Sequence, residues 1–121
     1  MWFYSQATGK LNRNGTPKGT GYSGRGVGCN NSDCEQIKNV GPIPQGGWVI
    51  GGPPIDTHDH GPYVLHLVPN TGTETFGRGG FLIHGDNVHA PGTASEGCMI
   101  FPRALREAIW ESQDRELTVT P

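Results

Sequence analysis

His84 and Cys98 are the two residues of this chain best suited to act together as a catalytic pair. His84 ends an apolar run, and Cys98 follows fourteen positions later, directly after Gly97. Cysteine catalysis needs a thiol, an imidazole that holds it as thiolate, and backbone N–H groups that bind the oxyanion. The pattern predicts Cys98 as nucleophile and His84 as base, on two strand ends joined by a loop within residues 81–106.

The residues next to this pair have candidate roles of their own. A glycine before the nucleophile, Gly97, can turn its N–H toward a substrate because no side chain is in the way. Ser95 is a candidate catalytic residue, although a turn hydrogen bond is the commoner role for such a serine. Asp86 either orients His84 or caps the following loop, and the sequence does not separate these two roles.

Four further residues are candidates for contacts with a substrate. Arg78, Arg103 and Arg106 could bind a carboxylate, because a guanidinium group pairs with it through two parallel hydrogen bonds. Of these, Arg106 falls within a predicted helix, where a structural ion pair is an equally good explanation. Tyr22 is the aromatic anchor of a glycine-dense segment and is the fourth candidate, and Asp86 is likewise a candidate for substrate contact.

A metal site is the rival chemistry. Ligand-type side chains cluster around a DTHDH run, in which His58 and His60 share a face if the segment is extended. No paired ligand motif such as HExxH is present, and a polar turn explains the run as well, so we expect no metal and no cofactor. The candidate ligands are Asp56, His58, Asp59, His60, His66, His84, Asp86 and His89.

The composition favours one mainly β domain. The 121 residues include 20 glycines and 10 prolines, a content that approaches that of disordered chains. Short blocks of aromatic and β-branched residues nevertheless recur between the glycines, as in GWVIG, YVLHLV and FLIHG. This alternation of short apolar blocks with turn residues is typical of an all-β domain with tight turns.

Two short helices are predicted beside the strands. Residues 31–38 form one, with Ser32 and Glu35 as a capping box. The other begins with Pro102 in its first turn, and its apolar positions recur at helical spacing through residue 110. Strands are predicted at residues 2–6, 48–50, 63–68, 81–84, 99–101 and 117–120, and residues 51–62 are predicted to form a loop.

Charge and cysteine content narrow the possible partners and compartments. The formal net charge of −2 gives no sign of a nucleic-acid surface, and no apolar run is long enough to enter a bilayer stably. The opening MWFYSQATGK lacks the features of an ordinary export signal, so we expect a cytoplasmic protein or one moved by a signal-independent machine. Cys29 and Cys34 could be bridged or reduced, and Cys98 stands apart.

The chain resembles the small type VI secretion effectors that have an L,D-transpeptidase (YkuD-like) catalytic domain. The matching blocks cover most of its length and are, in order, WFYSQATGKL, GTGYSG, NVGPIPQGGWVIG, HGPYVLHLVP, GRGGFLIHGDN and ASEGCMI. Glu96 stands where the broader enzyme family commonly has histidine. The resemblance implies one domain over residues 1–121, a β-sandwich or barrel with two short helices.

The resemblance also implies a reaction, cysteine acyl transfer on the tetrapeptide stems of peptidoglycan. Cys98 would attack the carbonyl before a terminal D-alanine, the Gly85 carbonyl would orient His84, and the N–H groups of Gly97 and Cys98 would form the oxyanion hole. Water would then release a shortened stem, free D-amino acids would give exchange, and a second stem would give a cross-link.

Further implications concern delivery and partners. The resemblance implies an antibacterial toxin that a type VI secretion apparatus delivers into the periplasm of a target cell, with a cognate immunity protein as partner. That oxidising compartment would permit a Cys29–Cys34 disulfide. The alternatives are a zinc-dependent peptidoglycan hydrolase and a non-catalytic cell-wall binding module.

Overall fold

A computed structural model describes all 121 residues, and it confirms the mainly β prediction. One nine-stranded sheet runs through the molecule in the order β3-β2-β1-β9-β5-β6-β7-β8-β4. Its strands are β1 (Trp2–Ser5), β2 (Lys10–Arg13), β3 (Thr16–Thr20), β4 (Tyr22–Ser23), β5 (Gly46–Thr57), β6 (Gly61–Pro69), β7 (Leu82–His84), β8 (Met99–Ile100) and β9 (Glu116–Thr120).

The two edges of this sheet meet at Gly21. The edge strands β3 and β4 are separated in the chain by this one residue. Since consecutive Cα atoms are about 3.8 Å apart, the sheet must curl until its edges are adjacent, as in a barrel. A Cβ added at Gly21 would collide with the carbonyl oxygen of Ile100, so the meeting of the edges requires glycine.

The longest hairpin, β5–β6, carries much of the core. Trp48 on β5 and Leu65 on β6 are fully buried, and the ring of Trp48 meets the ring of Phe81 edge to face at 5.0 Å. Tyr4 and Phe101 pack in the same way at 5.8 Å. These contacts fasten the segments that precede β7 and follow β8 to the centre of the sheet.

The prediction of a loop over residues 51–62 was wrong, because β5 continues to Thr57. Its pairing with β6 continues beyond two irregularities in register, on either side of Ile55. Such bulges tolerate the prolines that would otherwise interrupt a strand. The turn of the hairpin is therefore confined to residues 58–60, at the end of a long, rigid ribbon.

Of the two predicted helices, only the second is an α-helix. Helix α1 spans Arg103–Glu111 and follows Pro102, which takes the N-cap position in place of the predicted first turn. Buried Ile109 and Arg106 face the sheet. No helix in the structure is long and apolar enough to cross a bilayer.

Residues 31–38 form a single 3-10 turn, Ser32–Cys34, in place of the predicted helix. The side chain of Asn31 caps it by accepting the Asp33 N–H at 3.1 Å. Glu35 does not complete a capping box, because its carboxylate accepts hydrogen bonds from Gln6 and Gln45. These long-range partners explain why the local capping pattern was misleading.

Candidate active site

Strands β7 and β8 place His84 and Cys98 on the same face of the sheet. They pair in parallel, with Ile83 opposite Met99 and His84 opposite Ile100. Extending this register by one position sets Cys98 opposite Leu82, and alternate residues of a strand share a face. Adjacent strands lie about 4.8 Å apart, so the side chains of Cys98 and His84 are diagonal neighbours on one face. Ile83 and Met99 point the other way, into the core, and are fully buried.

His84 is a buried imidazole with one free nitrogen. Its Nδ1 lies 2.8 Å from the carbonyl oxygen of Gly85, a contact that requires the proton on Nδ1. Nε2 is buried and has no hydrogen-bond partner. A Cβ at Gly85 would lie 2.9 Å from Arg106 Nη1, so the close packing of this turn depends on glycine. The arrangement leaves Nε2 as an unused proton acceptor.

The thiol of Cys98 lies at a glycine-rich edge of the same cleft. Its Sγ is 3.9 Å from the carbonyl oxygen of Gly80, and it receives a hydrogen bond from the backbone of Leu82. The Cys98 N–H finds no hydrogen-bond acceptor within the chain. A free N–H on the nucleophilic residue itself is the group that can bind an oxyanion.

Burial of His84 and Cys98 works against the predicted thiolate–imidazolium pair. Burial lowers the pKa of His84, and the Gly85 carbonyl only partly opposes this. Burial also raises the pKa of the Cys98 thiol to about 11, against the opposing effects of the Leu82 hydrogen bond and the Arg78 charge. The buried site therefore favours the neutral form of each group before a substrate arrives.

Ser95, which the sequence offered as a catalytic candidate, is a buried clasp whose hydroxyl bonds three backbone groups. Its Oγ accepts the N–H of Gly24 at 2.9 Å and the N–H of Gly97 at 3.1 Å, and it donates to the Cys98 carbonyl at 2.7 Å. The side chain does not border the cleft. Ser95 therefore shapes the turn that carries the thiol.

The N–H of Gly97, which was predicted for the oxyanion hole, is donated to Ser95 in the structure. The residue has a φ of +135°, and an added Cβ would lie 2.5 Å from Arg78 Nη2 and 3.1 Å from Phe81. Glycine is required here for the backbone angle and for the close approach of these two side chains. It leaves the Cys98 N–H as the one free donor of the predicted pair.

Arg78, which the sequence predicted as a carboxylate ligand, is a clamp between two loops in the structure. It is almost fully buried, and its terminal nitrogens donate to the carbonyl oxygens of Glu35, Gly41, Pro42 and Glu96. These bonds use all four terminal N–H groups. The guanidinium ties the loop before β5 to the loop that carries Cys98, and only its Nε–H has no hydrogen-bond partner within the chain.

Tyr22 and Asp86 border the cleft but bind each other. The Tyr22 hydroxyl donates to Asp86 Oδ1 at 2.6 Å and accepts the Ala94 N–H at 3.0 Å. Asp86 also accepts N–H groups from Asn87 and Gly92, so it caps the loop and does not touch His84 through a hydrogen bond. Burial alone would raise the pKa of Asp86, but these hydrogen bonds hold it below its usual value.

Two cations that border the cleft remain available for a substrate. Arg103 is exposed, lies over the ring of Tyr63 at 4.9 Å, and has only a long 3.8 Å contact with Glu107. Lys38, which the sequence did not single out, has no ion-pair partner. Arg106 is buried, and its nitrogens donate to the carbonyls of Pro62, Tyr63 and Phe101, as expected of a structural residue.

The cleft that joins these groups has a volume of about 1220 Å³. It is bordered by His84, Cys98, Arg103 and the glycines at positions 79 and 80. A Cβ at either glycine would meet nothing within 4 Å, so the wall beside the thiol is open. A groove of this size has room for a peptide segment.

His60 is a residue of this site whose role the sequence did not predict. Its ring lies 4.5 Å from the ring of His84, tilted by 35°. The sequence offered it only as a metal ligand. No three of the His, Cys, Asp and Glu side chains converge in a way that could hold a metal ion. Cys29, Cys34 and Cys98 are all free thiols in the structure.

A comparison with protein-family models gives a match. A family model described as "Tlde1 domain" matches residues 18–120, which is most of the chain. It is the model of a type VI secretion L,D-transpeptidase effector family, and it confirms the resemblance noted in the sequence. No curated protein matches the chain.

Proposed function

The chain belongs to the Tlde1 domain family of type VI secretion L,D-transpeptidase effectors, and we propose that it is a cysteine L,D-carboxypeptidase and L,D-transpeptidase. Its substrates are the tetrapeptide stems of peptidoglycan. The observation that carries the proposal is the shared sheet face of Cys98 and His84 at the edge of an open cleft.

Acylation starts from two neutral groups. The Cys98 sulfur attacks the carbonyl carbon before the terminal D-alanine, and the thiol proton passes to His84 Nε2 as the S–C bond forms. The carbonyl oxygen becomes an oxyanion that accepts the Cys98 N–H. When the C–N bond breaks, His84 gives its proton to the departing amine of D-alanine, and a thioester remains on Cys98.

The fate of the thioester depends on which acceptor reaches it. Water, deprotonated by His84, attacks the thioester carbonyl, the C–S bond breaks, and a shortened stem leaves with Cys98 restored as a thiol. The amine of a free D-amino acid gives exchange by the same route, and the amine of a second stem gives a cross-link. The openness of the cleft supports access of all three.

The stem is an acidic peptide, and the cleft offers cations for it. Arg103 and Lys38 border the cleft without a close carboxylate partner, so either can bind a stem carboxylate. Arg78 and Arg106 are excluded from this role by their bonds to backbone carbonyls. Tyr22 and Asp86 support recognition indirectly, by holding the loop that follows His84.

The biological setting follows from the family. The toxin is delivered by a type VI apparatus, acts in the periplasm of a target cell, and is neutralised in the producing cell by a cognate immunity protein. These steps extend the family assignment and do not depend on the geometry of the site.

Mass spectrometry of purified tetrapeptide muropeptides tests the reaction. Incubation with the protein should remove D-alanine, and added D-methionine should give the corresponding mass gain. Cys98→Ala and His84→Gln should abolish both products while the far-UV circular dichroism spectrum is retained. Cys29→Ser is the matched control, since it removes a thiol outside the cleft.

Two results would contradict the proposal. Full activity in folded Cys98→Ala would remove the thiol from the mechanism and return attention to metal-dependent hydrolysis. Unchanged muropeptides together with retained binding to peptidoglycan would identify a non-catalytic cell-wall binding module.

A further inference from the structure

We propose that His60 is a positioning residue for His84: its imidazole covers the ring of the base, keeps solvent from it, and fixes the orientation in which Nε2 is a free acceptor. The inference rests on the proposed role of His84 as the base. Its starting point is the 4.5 Å separation and 35° tilt of the two rings, a geometry in which one ring shields a face of the other.

The position of His60 is fixed by the fold. It sits in the short turn of the β5–β6 hairpin, where its N–H donates to Thr57 Oγ1 at 2.8 Å. Just beyond it, the carbonyls of Pro62 and Tyr63 accept hydrogen bonds from Arg106 at 3.2 and 3.0 Å. A buried cation on α1 therefore anchors the end of this hairpin beside the His84–Gly85 turn.

Two further observations show what the covering ring does for His84. Only 2% of the surface of His84 is exposed, and its Nε2 has no hydrogen-bond partner. An imidazole without a partner on Nε2 is free to rotate unless packing holds it, and the Gly85 carbonyl holds only the Nδ1 side. His60 supplies packing on the face of the ring, which that hydrogen bond cannot do.

The cover also keeps His84 in the form that can accept a proton. The ionisable groups that act on His84 are His60 from the β5–β6 turn, Arg106 from α1 and Asp86 from the following loop. Cys98, from the segment before β8, lies on the same face of the sheet. Burial is the main cause of the lowered pKa of His84, with Arg106 and His60 disfavouring its charged form and Asp86 favouring it. Opening the cover would weaken the effect of burial, and the pKa of His84 would rise.

The test compares variants of His60 that keep or remove a covering ring. His60→Ala and His60→Gln remove it, and His60→Phe retains an aromatic ring of similar size without a titratable nitrogen. The control is His58→Ala in the same turn, because the side chain of His58 is fully exposed. The ring signal of His84 is assigned by its loss in His84→Gln and titrated by NMR, and the pH profile of kcat/KM is measured in parallel.

The expected result is a rise in the titration midpoint of His84, by on the order of half to one pH unit, in His60→Ala and His60→Gln. The acidic side of the pH profile of kcat/KM should shift to higher pH together with this midpoint. Activity should therefore fall by about three- to tenfold at pH 6 and by less at pH 8. His60→Phe and His58→Ala should both match the unsubstituted protein.

An unchanged His84 midpoint in His60→Ala would overturn the inference, as would a shift in His60→Phe equal to that in His60→Ala. The second result would mean that charge and not cover is responsible. Because the NMR titration needs no substrate, its outcome is independent of the proposed reaction. Failure of the reaction itself would appear separately, as activity that survives in Cys98→Ala.

Discussion

The hydroxyl of Ser95 accepts the N–H of Gly97 at 3.1 Å while donating to the carbonyl of Cys98 at 2.7 Å. This clasp determines which backbone donor faces the cleft, because it removes the Gly97 N–H and leaves the Cys98 N–H free. The serine thus contributes to the chemistry through the shape of the turn, without contact with the substrate.

Replacing Ser95 with alanine should destabilise the protein more than it disturbs substrate binding. The change leaves two N–H groups and one carbonyl without their partner in a buried turn, at a cost of about 2–4 kcal/mol in the free energy of unfolding. Urea denaturation measures this loss. Ser5→Ala, at a half-buried position whose hydroxyl bonds at the surface, should cost less than about 1 kcal/mol, and equal midpoints for the two variants would contradict the clasp.

The reactivity of Cys98 should rise steeply with pH. With burial raising its pKa to about 11, the thiol is almost entirely protonated at pH 7, and the rate of its alkylation by iodoacetamide should still be increasing above pH 9. The rate is followed by mass spectrometry of the Cys98 peptide in a Cys29→Ser, Cys34→Ser background.

His84→Gln should leave this profile nearly unchanged, because the imidazole does not hold the thiol ionised at rest. A plateau below pH 8 that disappears in His84→Gln would instead reveal a resting thiolate–imidazolium pair.

Arg78→Lys should lower stability without a specific loss of substrate affinity. The ammonium group of lysine is a compact donor that cannot reach four carbonyls spread over two loops, so the free energy of unfolding should fall by about 2–4 kcal/mol. The thermal midpoint and the KM for a tetrapeptide stem are the two measurements. A raised KM with an unchanged midpoint would show that Arg78 binds the substrate after all.

Arg103→Gln should weaken the reaction with substrate while leaving the stability of the protein nearly unchanged. The side chain is exposed and borders the cleft, so its loss should change the free energy of unfolding by less than about 0.5 kcal/mol. Removing a charge-assisted bond to a stem carboxylate should lower kcat/KM about tenfold. Lys10→Gln, an exposed cation outside the cleft, is the control, and equal kcat/KM in both variants would exclude Arg103 as a ligand.

The sequence alone determined the class of the fold and singled out His84 and Cys98 as the candidate catalytic pair. Short apolar blocks between turn residues indicated a mainly β domain, and the ordered blocks indicated the family that the match over residues 18–120 confirms. The apolar run before His84 and the spacing to Cys98 predicted neighbouring strand ends, because strand periodicity is a local property of the chain. Helix α1 was predicted because helical periodicity is likewise a local property of the chain.

Tertiary structure decided which polar groups remain free for chemistry. The sequence pattern predicted Glu35 as part of a helix cap, but its carboxylate accepts hydrogen bonds from Gln6 and Gln45. The sequence also predicted Arg78 as a substrate ligand, but its guanidinium donates hydrogen bonds to four backbone carbonyls. His60 lies beside His84 because hydrogen bonds from buried Arg106, which is distant in sequence, hold the end of the β5–β6 hairpin in place. The hydrogen-bond partners of these groups, and the residues that bury them, are distant in sequence. Both are therefore fixed only once the sheet has closed, and the protonation states depend on them.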